Sequence, residues 1–148
     1  MTVQKLKDYL TQHNIPFELK EFPMVVGNVM NGPHPPNEVV KTIIFIDSKN
    51  DLYAVLVRGD DRISMARFGL NLKIDGVRMA KLEEVVARTG YPVGGVPPTG
   101  FAAKFVADIK LKDMPFCWAG GGSDKALIKV NPADLIKHNK AVVVRVTG

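Results

Sequence analysis

A chain of 148 residues, 46% hydrophobic and 24% charged, has the length and composition of one domain, 1–148, with a core of its own, and excludes intrinsic disorder. One cysteine, Cys117, excludes an internal disulfide, and no apolar run approaches the roughly eighteen residues of a membrane span. The start MTVQKLKDYL lacks the apolar core of a secretory signal, so a cytoplasmic location is expected, while a net charge of +5 without any like-charged block suits a polyanionic partner met by a folded surface.

Val3, Leu6 and Leu10 recur at helical spacing, which predicts an amphipathic helix over 2–13 that ends near Asn14 and Pro16. IPFELKEF alternates Phe17, Leu19 and Glu21 against Glu18, Lys20 and Phe22, the pattern of a strand. Met24 to Glu38 holds two glycines at 27 and 32 and three prolines at 33, 35 and 36, which forbid a long helix and predict a loop with room for one short helical turn. VVKTIIFID and LYAVLV are β-branched strands joined by DSKND, and should pair as a hairpin. Beyond them, Asp60 or Asp61 is expected to cap a helix over ISMARFGLNL; the RGD tripeptide there carries no adhesive meaning.

VRMA reads as a short strand, and KLEEVVART as a helix with Leu82, Val85 and Val86 inward, a Glu84–Arg88 pair outside and Gly90 as its stop. After the loop GYPVGGVPPTG come strands over AKFVADI, MPFCWAG and ALIKV, a helix capped by Asn131 with Pro132 at its first position, and a last strand, AVVVRV. About seven strands and four helices that do not alternate strictly imply an α+β domain: a mixed, strongly curved, barrel-like sheet with flanking helices.

Several chemistries find no support. There is no GxSxG elbow, and His13, His34 and His138 lie in segments that give no reason to set one beside a serine or Cys117. CxxC, HExxH and EF-hand spacings are missing, so neither metal nor cofactor is expected. Gly95 to Gly100 imitates the opening of a phosphate-binding loop, but Phe101 and Ala102 stand where lysine and serine or threonine are required.

What remains is a loop and a lysine. Gly90 to Gly100 contains four glycines and three prolines, stiff in places and bare of Cβ in others, so it can turn a helix into a strand or stand its main chain against a small ligand. Lys41, inside VVKTIIF, shares a strand face with Ile43 and Phe45 while Thr42 and Ile44 point the other way; one of these faces should be core. If the lysine's face lines a cavity, its ammonium is a point charge suited to a phosphate, with Thr42 beside it; otherwise it is a strand-end lysine reaching for water.

Taken together and in order, VVKTIIF, GYPVGGVPP with its GxxxP element Gly94 to Pro98, the AGGGS strand end and NPADL resemble the YbaK proteins and the editing domains associated with prolyl-tRNA synthetases, over nearly the whole chain. The resemblance implies an aminoacyl-tRNA deacylase acting in trans on the ester of a mischarged tRNA, with a small amino acid such as alanine, cysteine, serine or threonine and tRNA-Pro as the expected carrier. By position, Lys41 would hold the terminal region of the tRNA, with Thr42 beside it. Gly94, Gly95, Val96, Pro97 and Pro98 would embrace the 3′-terminal adenosine and ester, and Gly121, Gly122 and Ser123 would form the facing wall. The attacking water would be placed by backbone groups and the ribose hydroxyl, without metal or enzyme nucleophile. The expected partners are mischarged tRNA and an aminoacyl-tRNA synthetase, with neither DNA nor membrane.

The chain departs from that pattern at two places. VVGNVMNGPHPP stands where many members carry an alanine-rich helix, and Leu127 stands where some place an acid, so no carboxylate role carries over there. An alternative of another class is a non-catalytic RNA-binding or protein-interaction module on the same fold, and a third is a pocket for a free nucleotide or amino-acid derivative.

Overall fold

The computed structural model describes residues 2–26 and 32–148. The first helix, α1 (Thr2–Gln12), buries Leu6 and Leu10 one turn apart, as its spacing predicts, and Asn14 breaks it at φ 58°. Strand β1 (Glu18–Glu21) follows; a single 3-10 turn, Pro36–Glu38, is the short helical piece expected between 24 and 38. Of that stretch, 27–31 lie outside the described residues.

Strands β2 (Val40–Ile46) and β3 (Leu52–Arg58) form the expected antiparallel hairpin. Helix α2 (Met65–Leu72) is capped by Ser64, whose Oγ accepts from the Arg67 N–H at 3.3 Å, and not by Asp60 or Asp61. Those carboxylates are engaged elsewhere, Asp60 by Arg58 and Asp61 by Lys110. The two-residue β4 (Arg78–Met79) leads into α3 (Leu82–Thr89), which buries Val85 but leaves Leu82 and Val86 exposed, against expectation. Glu84 pairs with Arg78, not Arg88, and Gly90 stops the helix at φ 80° as its position predicts. Then come β5 (Lys104–Asp108), β6 (Cys117–Gly120), β7 (Ala126–Val130), α4 (Pro132–Asn139) with its Asn131 cap, and β8 (Val142–Val144).

The architecture is α+β, with mixed strand directions, but the sheet does not close into a barrel. It divides into a five-stranded sheet, β4-β2-β3-β5-β8, with β5 parallel to both β3 and β8, and a three-stranded antiparallel sheet, β1-β7-β6. Among the described residues, the bridge Val39–Trp118 links them. Closure would need a partner along the whole outer edge of β2, and β4 pairs only at Phe45 and Ile46.

Both faces of the larger sheet are core, not one. Phe45, Val55 and Val57 pack under Phe68 of α2. On the opposite face, Val40 and Leu56 join Leu6, Leu10, Ile128 and Leu135, while Ile44 and Ala54 pack with Val85 of α3. The smaller sheet is thus fixed against the larger through α1 and α4, which leaves a groove along the outer edge of β2.

Candidate active site

The groove has a volume of about 1030 Å³, at the upper end of small-molecule sites, about 300–1,000 Å³. Its floor is the strand edge Val40–Ile44, where the Ile44 carbonyl accepts from the Ala80 N–H at 2.9 Å and, among the described residues, no neighbouring strand pairs with Lys41–Ile43 on this side. Edge peptide groups of this kind are free to bond an extended ligand. One wall is Val93, Gly94 and Val96; another is Ala119, Gly120, Asp124 and Leu127; Met79 and Leu82 form an apolar rim. The outward turn of Leu82 is thereby accounted for.

Lys41 and Thr42 point to opposite faces of β2 yet both reach the groove, because the strand lies along its edge. The Lys41 ammonium donates to the Asp61 carbonyl at 2.8 Å, which occupies one of its three N–H groups; the other two have no partner among the described residues. Burial pulls its pKa below the usual lysine range, partly offset by Asp61 and Asp60. Thr42 Oγ1 is shielded from water and has no hydrogen-bond partner among the described residues.

The glycine-rich loop is held from behind. The Pro98 carbonyl accepts from Asn139 Nδ2 at 2.9 Å, and Thr99, wholly buried, donates to Asn139 Oδ1 at 2.7 Å. Gly122 N–H donates to the Gly95 carbonyl at 2.9 Å, so the loop and the end of β6 are bonded main chain to main chain. A Cβ on Gly120 would fall 2.1 Å from the Val96 carbonyl oxygen, and one on Gly95 2.5 Å from the backbone of Ser123. Those two glycines permit close backbone approach, whereas Gly94, at φ 89°, faces the groove.

Of the residues expected at the site, Lys41, Thr42, Gly94 and Val96 therefore line one groove. Gly95, Pro97, Pro98, Gly121 and Gly122 are buried behind it, and the Ser123 hydroxyl accepts from the Lys125 N–H at 3.0 Å. They do not reach the groove wall; they set the position of the residues that do. Four contributors were missed: the open edge of β2, Asp124, His34 and, through Asn139, helix α4. Asn139 had no signal in the sequence, because the contact joins residues forty apart; Asp124, next to the AGGGS run, was visible but without geometry.

The other candidate nucleophiles are elsewhere. Cys117 is fully buried, its thiol pushed up to about 12 by desolvation, which removes the thiolate as a nucleophile. His13 and His138 lie together beside Tyr9, whose hydroxyl is 2.6 Å from His138 Nε2, and neither lines the groove. No group of three or more metal-binding side chains occurs among the described residues, and no helix among them is long and apolar enough to cross a membrane.

The fold class is thus α+β with a split sheet, carrying a strand-edge groove in which a lysine and a bare glycine turn meet. The comparisons narrow it: the profile of the Aminoacyl-tRNA editing domain matches residues 28–138, and the chain belongs to that family. It is 33% identical over 87 residues to the proline–tRNA ligase of Thermotoga neapolitana, and 39% identical over 82 residues to that of Lactobacillus gasseri. These matches cover 59% and 54% of this chain but only 15% and 14% of the ligases. Among solved structures, hypothetical protein APE2540 superimposes with a TM-score of 0.87 at 30% identity, covering 97% of this chain and 99% of that one. A candidate trans-editing enzyme for prolyl tRNA synthetase does so at 0.86 and 24% identity, over 99% and 97%, which shows the shared fold.

Proposed function

We propose that this chain is an aminoacyl-tRNA deacylase acting in trans, which hydrolyses the ester of a tRNA mischarged with alanine, cysteine, serine or threonine, with tRNA-Pro as its carrier. The observation that carries the reading is the convergence of the Lys41 ammonium and the Gly94 main chain on one groove, within a chain of the editing-domain family. In this reading the two free N–H groups of Lys41 bind a phosphate of the tRNA terminus, and the Gly94 turn lies against the terminal adenosine and ester. The loop behind it, Gly95 to Pro98, with Gly121, Gly122 and Ser123, sets the distance between the walls. Asp124, beside Gly94, offers a carboxylate to the α-ammonium of the amino acid.

An aminoacyl ester is already activated, so position does most of the chemistry. Holding water and ester in attack geometry supplies effective molarities on the order of 10⁵ M. Two main-chain N–H groups at the developing oxyanion, available from the uncovered edge of β2 or from the loop, add roughly 10²-fold. The ribose hydroxyl and backbone groups place the water. Discrimination against a larger amino acid rests on exclusion, since binding preference for a methylene yields only about 1–3 kcal/mol.

The test is single-turnover hydrolysis of tRNA charged with each of the four small amino acids. Loss of at least one ester well above the buffer rate supports the reading. Salt-sensitive tRNA binding with no ester loss for any of them defeats it and favours a non-catalytic RNA-binding module.

A further inference from the structure

The outer face of the β1-β7-β6 sheet is unlike an ordinary solvated one. Leu19, Ile128 and Ala119 point into the core, so alternation turns Glu18, Lys20, Leu127, Lys129 and Trp118 outward. Such a face is normally polar, and this one is in part covered, with Trp118 and Leu127 buried in a cluster with Val26 and Val39. Here two aromatic rings lie on it, each with a lysine over it: Lys129 Nζ is 4.7 Å from the Phe116 ring centre, and Lys20 Nζ is 5.7 Å from that of Trp118. The His34 ring covers Trp118 in parallel, 4.0 Å between centres and 7° between planes. Its Nε2 is shielded from water and has no hydrogen-bond partner among the described residues.

The face is continuous with the groove, because His34 and Leu127 belong to both. Glu18, 3.8 Å from Lys129, is the one carboxylate paired with these lysines, and it is largely exposed. Desolvation first, and then Lys20, lower the pKa of His34, so the ring over the indole is the neutral form at pH 7.

Resting on the deacylase reading, we propose that this face receives the unpaired nucleotides that precede the terminal adenosine of the tRNA, their phosphates on Lys20 and Lys129 and a base against the half-buried His34 ring that covers Trp118. Cations interleaved with rings bind single-stranded nucleic acid without strong sequence preference, since every base has a face to stack and every step a phosphate. A duplex could use the lysines but not the stack. The proposal therefore assigns the face to the single-stranded end, and the groove to the ester beyond it.

The experiment measures binding of two uncharged tRNAs to the full chain by fluorescence anisotropy across a salt series: one with its 3′ end intact, one trimmed of its unpaired nucleotides. The wild-type chain should bind the intact tRNA roughly tenfold more tightly. Lys20→Ala with Lys129→Ala should weaken intact-tRNA binding and lower the salt slope by about one per lysine. His34→Ala should reduce the preference for the intact end, with melting temperatures confirming that each variant is folded. Equal binding of intact and trimmed tRNA by the wild-type chain, or unchanged affinity and salt slope in the double variant, overturns the proposal. Hydrolysis is read separately on the wild-type chain: end-dependent binding without hydrolysis leaves the face standing and removes the deacylase reading, and hydrolysis without end-dependent binding does the reverse.

Discussion

Replacing Thr42 with valine separates stability from function at the groove. Thr42 Oγ1 is enclosed without a partner among the described residues, and an unpaired buried hydroxyl costs about 1–3 kcal/mol. Valine has the same branched shape and suits a strand equally well, so Thr42→Val removes the cost and little else. At about 2–4 °C per kcal/mol for a domain of this size, the melting temperature should rise by roughly 2–12 °C. If the hydroxyl is held in reserve for the substrate, the same change should slow ester hydrolysis roughly two- to tenfold, the worth of one neutral hydrogen bond of about 0.5–1.5 kcal/mol. Thermal unfolding and single-turnover deacylation on one preparation read both effects. An unchanged or lower melting temperature would refute the reasoning, since the hydroxyl would then be satisfied already.

Gly120→Ala places a methyl 2.1 Å from the Val96 carbonyl oxygen, so the loop must move by about 1 Å; stability should fall by about 1–3 kcal/mol and hydrolysis by up to ~10²-fold, checked by urea unfolding and kinetics. Glu84 is held at about 2, below its usual 4.5, first by Arg78 and then by the Lys81 N–H. A carboxyl depressed on folding stabilises above about 4.5 and loses its contribution as the pH falls through about 2, so Glu84→Gln should be less stable than wild type at pH 7. Denaturation across pH should show that difference closing on acidification over the same interval. Cys117, buried with its thiol pushed up to about 12, should resist a thiol reagent at pH 8 until the chain unfolds; rapid labelling of the native protein would contradict its burial.

The local elements were legible because local rules govern them. Leu6 and Leu10 fix the buried side of α1, Asn131 and Pro132 the start of α4, and the β-branched runs the β2–β3 hairpin. The split of the sheet was not legible, since it depends on what pairs with the outer edge of β2, a contact between distant segments. Misreading Leu82 and Val86 has a related cause: apolar periodicity does not say whether a side chain meets the core, and here Leu82 lies on the rim of the groove while Val86 is exposed. For the site, the lysine strand and the loop could be named from the residues, and their convergence on one groove was expected from the family resemblance, not from periodicity or spacing. The glycines show the limit most plainly. GYPVGG and AGGG were read as surfaces for a ligand, yet the bareness of Gly95 and Gly120 lets the two segments approach each other, and that of Gly121 and Gly122 makes room for Ala126 and for the start of α1.

The most direct test of the account is the single-turnover deacylation rate of an alanyl-tRNA with Lys41→Ala, beside Lys7→Ala as a control of equal charge on the exposed side of α1. A hydrogen bond to a charged group is worth about 1.5–3 kcal/mol, so the Lys41 variant should be slower by roughly 10- to 100-fold while its melting temperature stays near wild type and Lys7→Ala keeps full activity. Equal rates for wild type and Lys41→Ala would contradict the claim that this groove grips the charged end of the tRNA.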